Sequence, residues 1–162
     1  MIETASMAGF LAAHGIWSVS EGETLIPMFA HENPQGERFL DRVMADDIAE
    51  GARAAQRALE DNEHGATRAV MVVDAYVHKD SGPVDALLVE AVEYGLAPRT
   101  LTIAVLYRPA GHPDGFAVFS PEFQGFDGDD AEFEAVADAF FAGVESHHDA
   151  HEVWAAHYVR TV

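Results

Sequence analysis

The stretch from Arg68 to Ser120 constrains this chain most, because residues that favour strands recur there in segments broken by three clusters of turn formers. The segments are Ala69 to His78, Val84 to Tyr94, Thr100 to Arg108 and Phe116 to Phe119. Lys79 to Pro83, Gly95 to Arg99 and Pro109 to Gly115 separate them. Such spacing predicts an antiparallel meander. The second segment also fits a helix through Val84, Leu87, Leu88, Ala91 and Val92, but Pro83 and the short flanking turns favour a strand.

Helices and one hairpin are expected on either side. Thr4 to His14 is small and apolar and reads as a short helix ending at Gly15. Ile16 to Ser20 and Thr24 to His31 read as a hairpin about Glu21-Gly22, with Pro27 placing its second strand at an edge. Asn33-Pro34 offers an N-cap and a first helical residue. Leu40, Val43, Met44, Ile48, Ala52, Ala55 and Leu59 then recur at helical spacing, predicting an amphipathic helix of roughly six or seven turns that closes near Asn62 to Gly65. Asp129 and Asp130 suit the start of a last helix with Phe133, Val136, Ala137, Phe140 and Val144 on its buried stripe. That helix ends near Ser146 or runs on to Tyr158. The expected fold is α+β: one domain of 162 residues with about four central strands and an N-terminal hairpin, covered on one face by helices.

Pairing His78 with Val84, Tyr94 with Thr100 and Arg108 with Phe116 places odd-numbered residues on one face of the meander. That face is almost continuously apolar, and the long helix and the Phe133 to Val144 helix are its natural covers. The even face mixes Val70, Val72, Leu88, Val92, Leu106, Phe116 and Val118 with Asp74, Tyr76, Glu90, Thr102 and Arg108. A face of this kind suits a homodimer interface or a shallow ligand groove, unless the chain itself covers it. Asp74, Tyr76, Leu88, Glu90, Leu106 and Arg108 are therefore the candidate site residues. In this register Asp74 lies diagonal to Glu90, so the two carboxylates can share a proton, divide acid and base roles, or bind a hard cation. Arg108 is an alternative neutralising partner.

A second cluster is His147-His148-Asp149-Ala150-His151-Glu152. On a helix, His147 and His151 project from one face at a spacing that suits a divalent transition metal. The segment lacks a His-Glu-x-x-His pattern, and neighbouring carboxylates explain a solvated histidine-rich helix end equally well. No metal or other cofactor is expected.

Charge narrows the partners. With 9 basic and 28 acidic residues the net charge is −19, a field that repels nucleic-acid phosphates and anionic membranes and attracts basic proteins. Cysteine is absent, which removes thiolate chemistry and is compatible with a reducing cytosol. The first residues carry Glu3 and no basic leader, so a cytoplasmic location is expected. The chain contains no phosphate-binding glycine loop, Gly-x-Ser-x-Gly elbow or dinucleotide fingerprint. The helix, meander, helix order is similar, at the level of fold alone, to small acidic chaperone and immunity-type proteins. The expected function is a non-enzymatic protein-interaction module acting as a homodimer. The alternative is a small-molecule-binding protein or enzyme that uses the polar cluster on the even face.

Overall fold

The computed structural model describes residues 1–160. In chain order the elements are α1 (Ile2–Val19), β1 (Met28–Glu32), β2 (Arg38–Arg42), α2 (Ile48–Asp61), β3 (Arg68–Lys79), β4 (Gly82–Glu93), β5 (Arg99–Arg108), β6 (Ala117–Phe119), β7 (Glu122–Phe126), α3 (Asp130–Ser146), α4 (His148–His157) and β8 (Tyr158–Val159). The strands form one sheet curled into a half-barrel, in the order β2-β1-β3-β4-β5-β6-β8, with β7 also pairing β5. The central meander is antiparallel as expected. The pairing of β6 with β8 is parallel, so the sheet as a whole is mixed.

The half-barrel wraps around α1. Eleven of its residues are buried, among them Ala5, Ala8, Leu11, Ala12, Ala13 and Ile16. A helix apolar on nearly every side belongs inside a fold, and this one lies between the sheet and α3. The expected end at Gly15 is not there. Gly15 sits inside the helix, where a Cβ would lie 2.7 Å from Leu87 Cδ1 on the sheet. Its glycine serves close packing, and the segment expected as a strand from Ile16 to Ser20 completes the helix instead.

The N-terminal hairpin therefore forms one step later, from β1 and β2. Asn33 Oδ1 accepts the backbone N–H groups of Gln35 and Glu37 and closes the turn, so the residue expected to cap a helix starts a hairpin. Pro27 precedes β1, which lies between β2 and β3 and is no edge. The long helix expected from Pro34 is only its second half. Asp47 caps α2 by accepting Glu50 N–H at 2.7 Å, and Asn62, at φ 47°, ends it where expected. At the other end of the chain Asp129 caps α3 through Glu132 N–H. His147 breaks the helical run there, between α3 and α4.

Two registers decide which side chains share a face. One is that of β6 on β5, where Arg108 stands opposite Ala117 and not Phe116, so that Val118 joins Val105 and Tyr107 while Phe119 turns outward. The other is that of β4 on β3. The β3–β4 connection is the two-residue turn Asp80-Ser81, closed by Lys79 opposite Gly82, whose φ is +113°. His78 thus pairs with Pro83 and not with Val84. An odd shift turns every β3 side chain to the other face relative to β4. The inner face, toward α1, carries Val70 and Val72 with Leu87, Val89, Leu101, Ile103, Val105 and Val118. The outer face is covered by the chain itself. Phe29, Met71 and Val73 pack with Ala55 and Leu59 of α2, while Ala86, Leu106, Ala117 and Phe119 close a second small cluster.

Candidate functional site

The corrected register separates the residues expected to act together. Asp74 and Tyr76 lie on the inner face, opposite Leu87 and Asp85. Leu88, Glu90, Leu106 and Arg108 lie on the outer face, where Glu90 is paired with Met71 and Thr102. The expected contact between Asp74 and Glu90 is not formed. Leu106 is fully buried, and Leu88 packs beside the residues under α2. Arg108 donates to the carbonyl oxygens of Gly115 and Asp114 at 2.7 and 3.0 Å, and so ties down its own loop.

Asp74 has a different partner, the phenol of Tyr107, which donates to its Oδ1 at 2.9 Å. Tyr107 is buried and Asp74 half-buried. Loss of solvent pushes the Asp74 carboxyl up, against the stabilising bond from Tyr107, and the nearby charge of Asp85 pushes the same way. Burial also drives the Tyr107 phenol far above its ordinary value, so it stays a proton donor to Asp74. This pair satisfies two half-hidden polar groups at the end of the meander, and Tyr76 beside it is largely exposed.

A polar cleft lies elsewhere, at the C-terminal end of α1. A cavity of about 310 Å³ is lined by His14, Trp17 and Ser18 of α1, by Glu21 and Glu23 to Ile26, and by the cross-strand pair Met28 and Arg42. Its volume falls at the lower end of the range of small-ligand sites. His14 Nδ1 lies 2.9 Å from Nε2 of His147, the residue at the α3–α4 junction. His147 in turn accepts the Ala150 N–H through Nδ1, a long contact of 3.5 Å that caps α4. With Nδ1 accepting, the proton of His147 sits on Nε2 and is donated to His14. The proton of His14 is then on Nε2. The pair is held by rings on both sides: Phe10 stacks on His147 with centroids 4.5 Å apart, and Trp17 meets both imidazoles edge-on.

Burial, and then the charges of His147 and Arg42, hold the His14 pKa below the usual imidazole value. His14 is therefore neutral at pH 7 and offers one N–H. Arg42 makes no ion pair among the described residues, unlike Arg38, Arg68, Arg99 and Lys79. Ser18 Oγ donates to the His14 carbonyl and Ser20 Oγ to that of Trp17, so both hydroxyls cap α1 and neither is set up as a nucleophile by an imidazole. The chemistry is that of binding: a guanidinium, an imidazole N–H, the Thr24 hydroxyl, the exposed carboxylates of Glu21 and Glu23 and an indole face, beside Leu25 and Met28.

The histidine-rich segment is rearranged by the same geometry. His147 stands outside α4 and turns toward α1, so it does not share a helix face with His151. His148 does approach Glu152, at 3.8 Å. Among the described residues no group of three or more histidine or carboxylate side chains is placed to hold a metal ion.

Sequence reasoning missed His14, Trp17, Arg42 and Tyr107. A signal was present for two of them, since Phe10, His14 and Trp17 recur at spacings of four and three along a helix. Ending that helix at Gly15 hid it. Comparison with known proteins adds nothing to this geometry: no family model, no curated protein and no solved structure shows significant similarity to the chain.

Proposed function

We propose that this protein binds a small polar organic molecule, without covalent chemistry, in the cleft between the end of α1 and Arg42. The observation that carries the reading is convergence. A neutral imidazole whose tautomer is set by a second imidazole, an arginine with no ion pair among the described residues and an indole line one open cavity in a chain with few cations. A thermal-shift series with small carboxylates, phosphate, amines and neutral polar molecules tests it, because a ligand of the native state raises the unfolding midpoint. At least one class is expected to stabilise the wild type and to lose most of that effect with Arg42→Gln or His14→Gln. No stabilisation by any class, or equal stabilisation of wild type and variants, overturns the reading.

A second reading, a protein-interaction module that self-associates, is favoured by Phe39, Leu40, Met44 and Ile48. These side chains are 41% to 74% exposed on and just after edge strand β2. Light scattering coupled to size exclusion is expected to give a dimer mass that falls to the monomer with Met44→Asp. A monomeric wild type at tens of micromolar sinks this reading.

A further inference from the structure

We infer that the cleft is the polar end of a longer groove, and that its occupant is an organic acid with an apolar chain. This rests on the ligand-binding reading above and names the chemical class. Strand register links the two cavities. On the inner face β1 and β2 present three successive cross-strand rungs: Met28 with Arg42, Ala30 with Leu40, and Glu32 with Arg38. The first rung lines the polar cleft. The next two supply Ala30, Leu40 and Arg38 to a second cavity of about 220 Å³, whose other walls are Met7, Phe10, Leu11 and Phe39.

The facing wall runs in step along α1. Met7, Phe10, His14 and Trp17 follow one another at spacings of three and four, so they form a continuous stripe. At 1.5 Å per residue that stripe is about 15 Å long. The two cavities share no lining residue, but they lie on successive rungs of one seam between α1 and the edge strand β2.

Polarity changes along the seam. The cleft end holds Arg42 and the His14 N–H, and a carboxylate there takes two parallel bonds from the guanidinium. A cationic group would meet Arg42 itself. Glu21 and Glu23 also line the cleft but are exposed to solvent, so the carboxylate of the ligand is placed on Arg42, the one guanidinium there. The second cavity is apolar until Arg38, which is bonded to Glu32 at 2.7 Å and reaches Glu3 at 3.4 Å. That ion pair closes the far end and limits the chain to the length of the stripe. A small acid fills only the polar station and leaves Leu40 and Phe10 wet, whereas an alkyl chain covers them.

The test is calorimetric titration with straight-chain carboxylates of increasing length and with alcohols of matched length. It is run in 1 M salt, where the Debye length is about 3 Å and the net negative charge does not mask binding. Affinity is expected to rise about four-fold per methylene until the groove is full, with acids at least ten-fold tighter than alcohols. Arg42→Gln is expected to erase the preference for acids and keep the dependence on length. Leu40→Asn, at an exposed position, is expected to flatten that dependence and keep the preference. Short acids that bind with no gain from added methylenes overturn the groove and leave the cleft reading standing. Alcohols that match acids in the wild type overturn the assignment of Arg42. No binding by any member of either series overturns the groove, and if the thermal-shift series is also silent the cleft falls with it.

Discussion

At the scale of single residues, Asp74 shows how loss of solvent can make a charge costly even where a hydrogen bond from Tyr107 stabilises it. Its carboxyl is raised in the folded protein, chiefly by loss of solvent. A carboxyl whose folded pKa exceeds its unfolded value of about 3.9 contributes stability that is complete below that value and is lost as pH rises through the folded pKa. At neutral pH the charge at Asp74 therefore opposes folding. Asn at this position keeps a carbonyl oxygen to accept the Tyr107 hydroxyl and removes the charge. Asp74→Asn is expected to raise the thermal midpoint at pH 7, with the gain shrinking toward pH 3. An Asn variant less stable than wild type at pH 7 would mean that the charge itself is used. His14 runs in the opposite direction. Its lowered pKa gives stability that is present above the unfolded value of about 6.5 and is lost as pH falls through the folded value.

At the scale of elements, the crossing of α1 and α3 is set by two glycines. A Cβ on Gly9 would overlap the carbonyl oxygen of Phe140, and one on Gly143 would overlap that of Ser6. Both obstacles are backbone, so no rotamer change relieves them and the helices must separate. Gly9→Ala and Gly143→Ala are each expected to cost about 1–3 kcal/mol, read as a fall in the urea midpoint. Gly95→Ala, where a Cβ meets nothing within 4 Å, is the control and is expected to change little. Denaturation curves that superpose for all three variants would mean that α1 and α3 are not in close contact. The elements are legible in the sequence only in part. The meander could be read because its strands are bounded by turn formers on both sides, and α3 because Asp129 precedes a regular stripe. The register of β3 on β4 could not, since Lys79 to Pro83 is compatible with a turn of two residues or of five and only the left-handed Gly82 selects the former. In β2, Leu40 falls by coincidence on the helical stripe that truly begins at Ile48, so a strand and a helix merged into one. The cleft depended on all of these decisions, because it joins α1, the β2 edge and the α3–α4 junction.

At the scale of the whole molecule, the net charge of −19 sets a field that short ion pairs offset only locally. Arg38 and Arg68 flank Glu32, Arg99 holds Glu132 and Lys79 holds Glu122, each pair at least partly shielded from solvent. The remaining carboxylates are mostly exposed, and many of them repel one another from α3, α4 and the loops. Unfolding spreads these charges apart, so self-repulsion favours the unfolded chain. Salt acts on the two contributions unequally. Raising ionic strength from 0.01 M to 1 M shortens the Debye length from about 30 Å to about 3 Å, which removes the long-range repulsion and weakens pairs in contact far less. The thermal midpoint is therefore expected to rise steadily over that range in sodium chloride, before specific ion effects enter. Removing a pair at constant net charge, as in Lys79→Gln with Glu122→Gln, should lower the whole curve without changing its slope. A midpoint that stays flat or falls with salt would show that the ion pairs, and not the excess of negative charge, dominate the electrostatics of this fold.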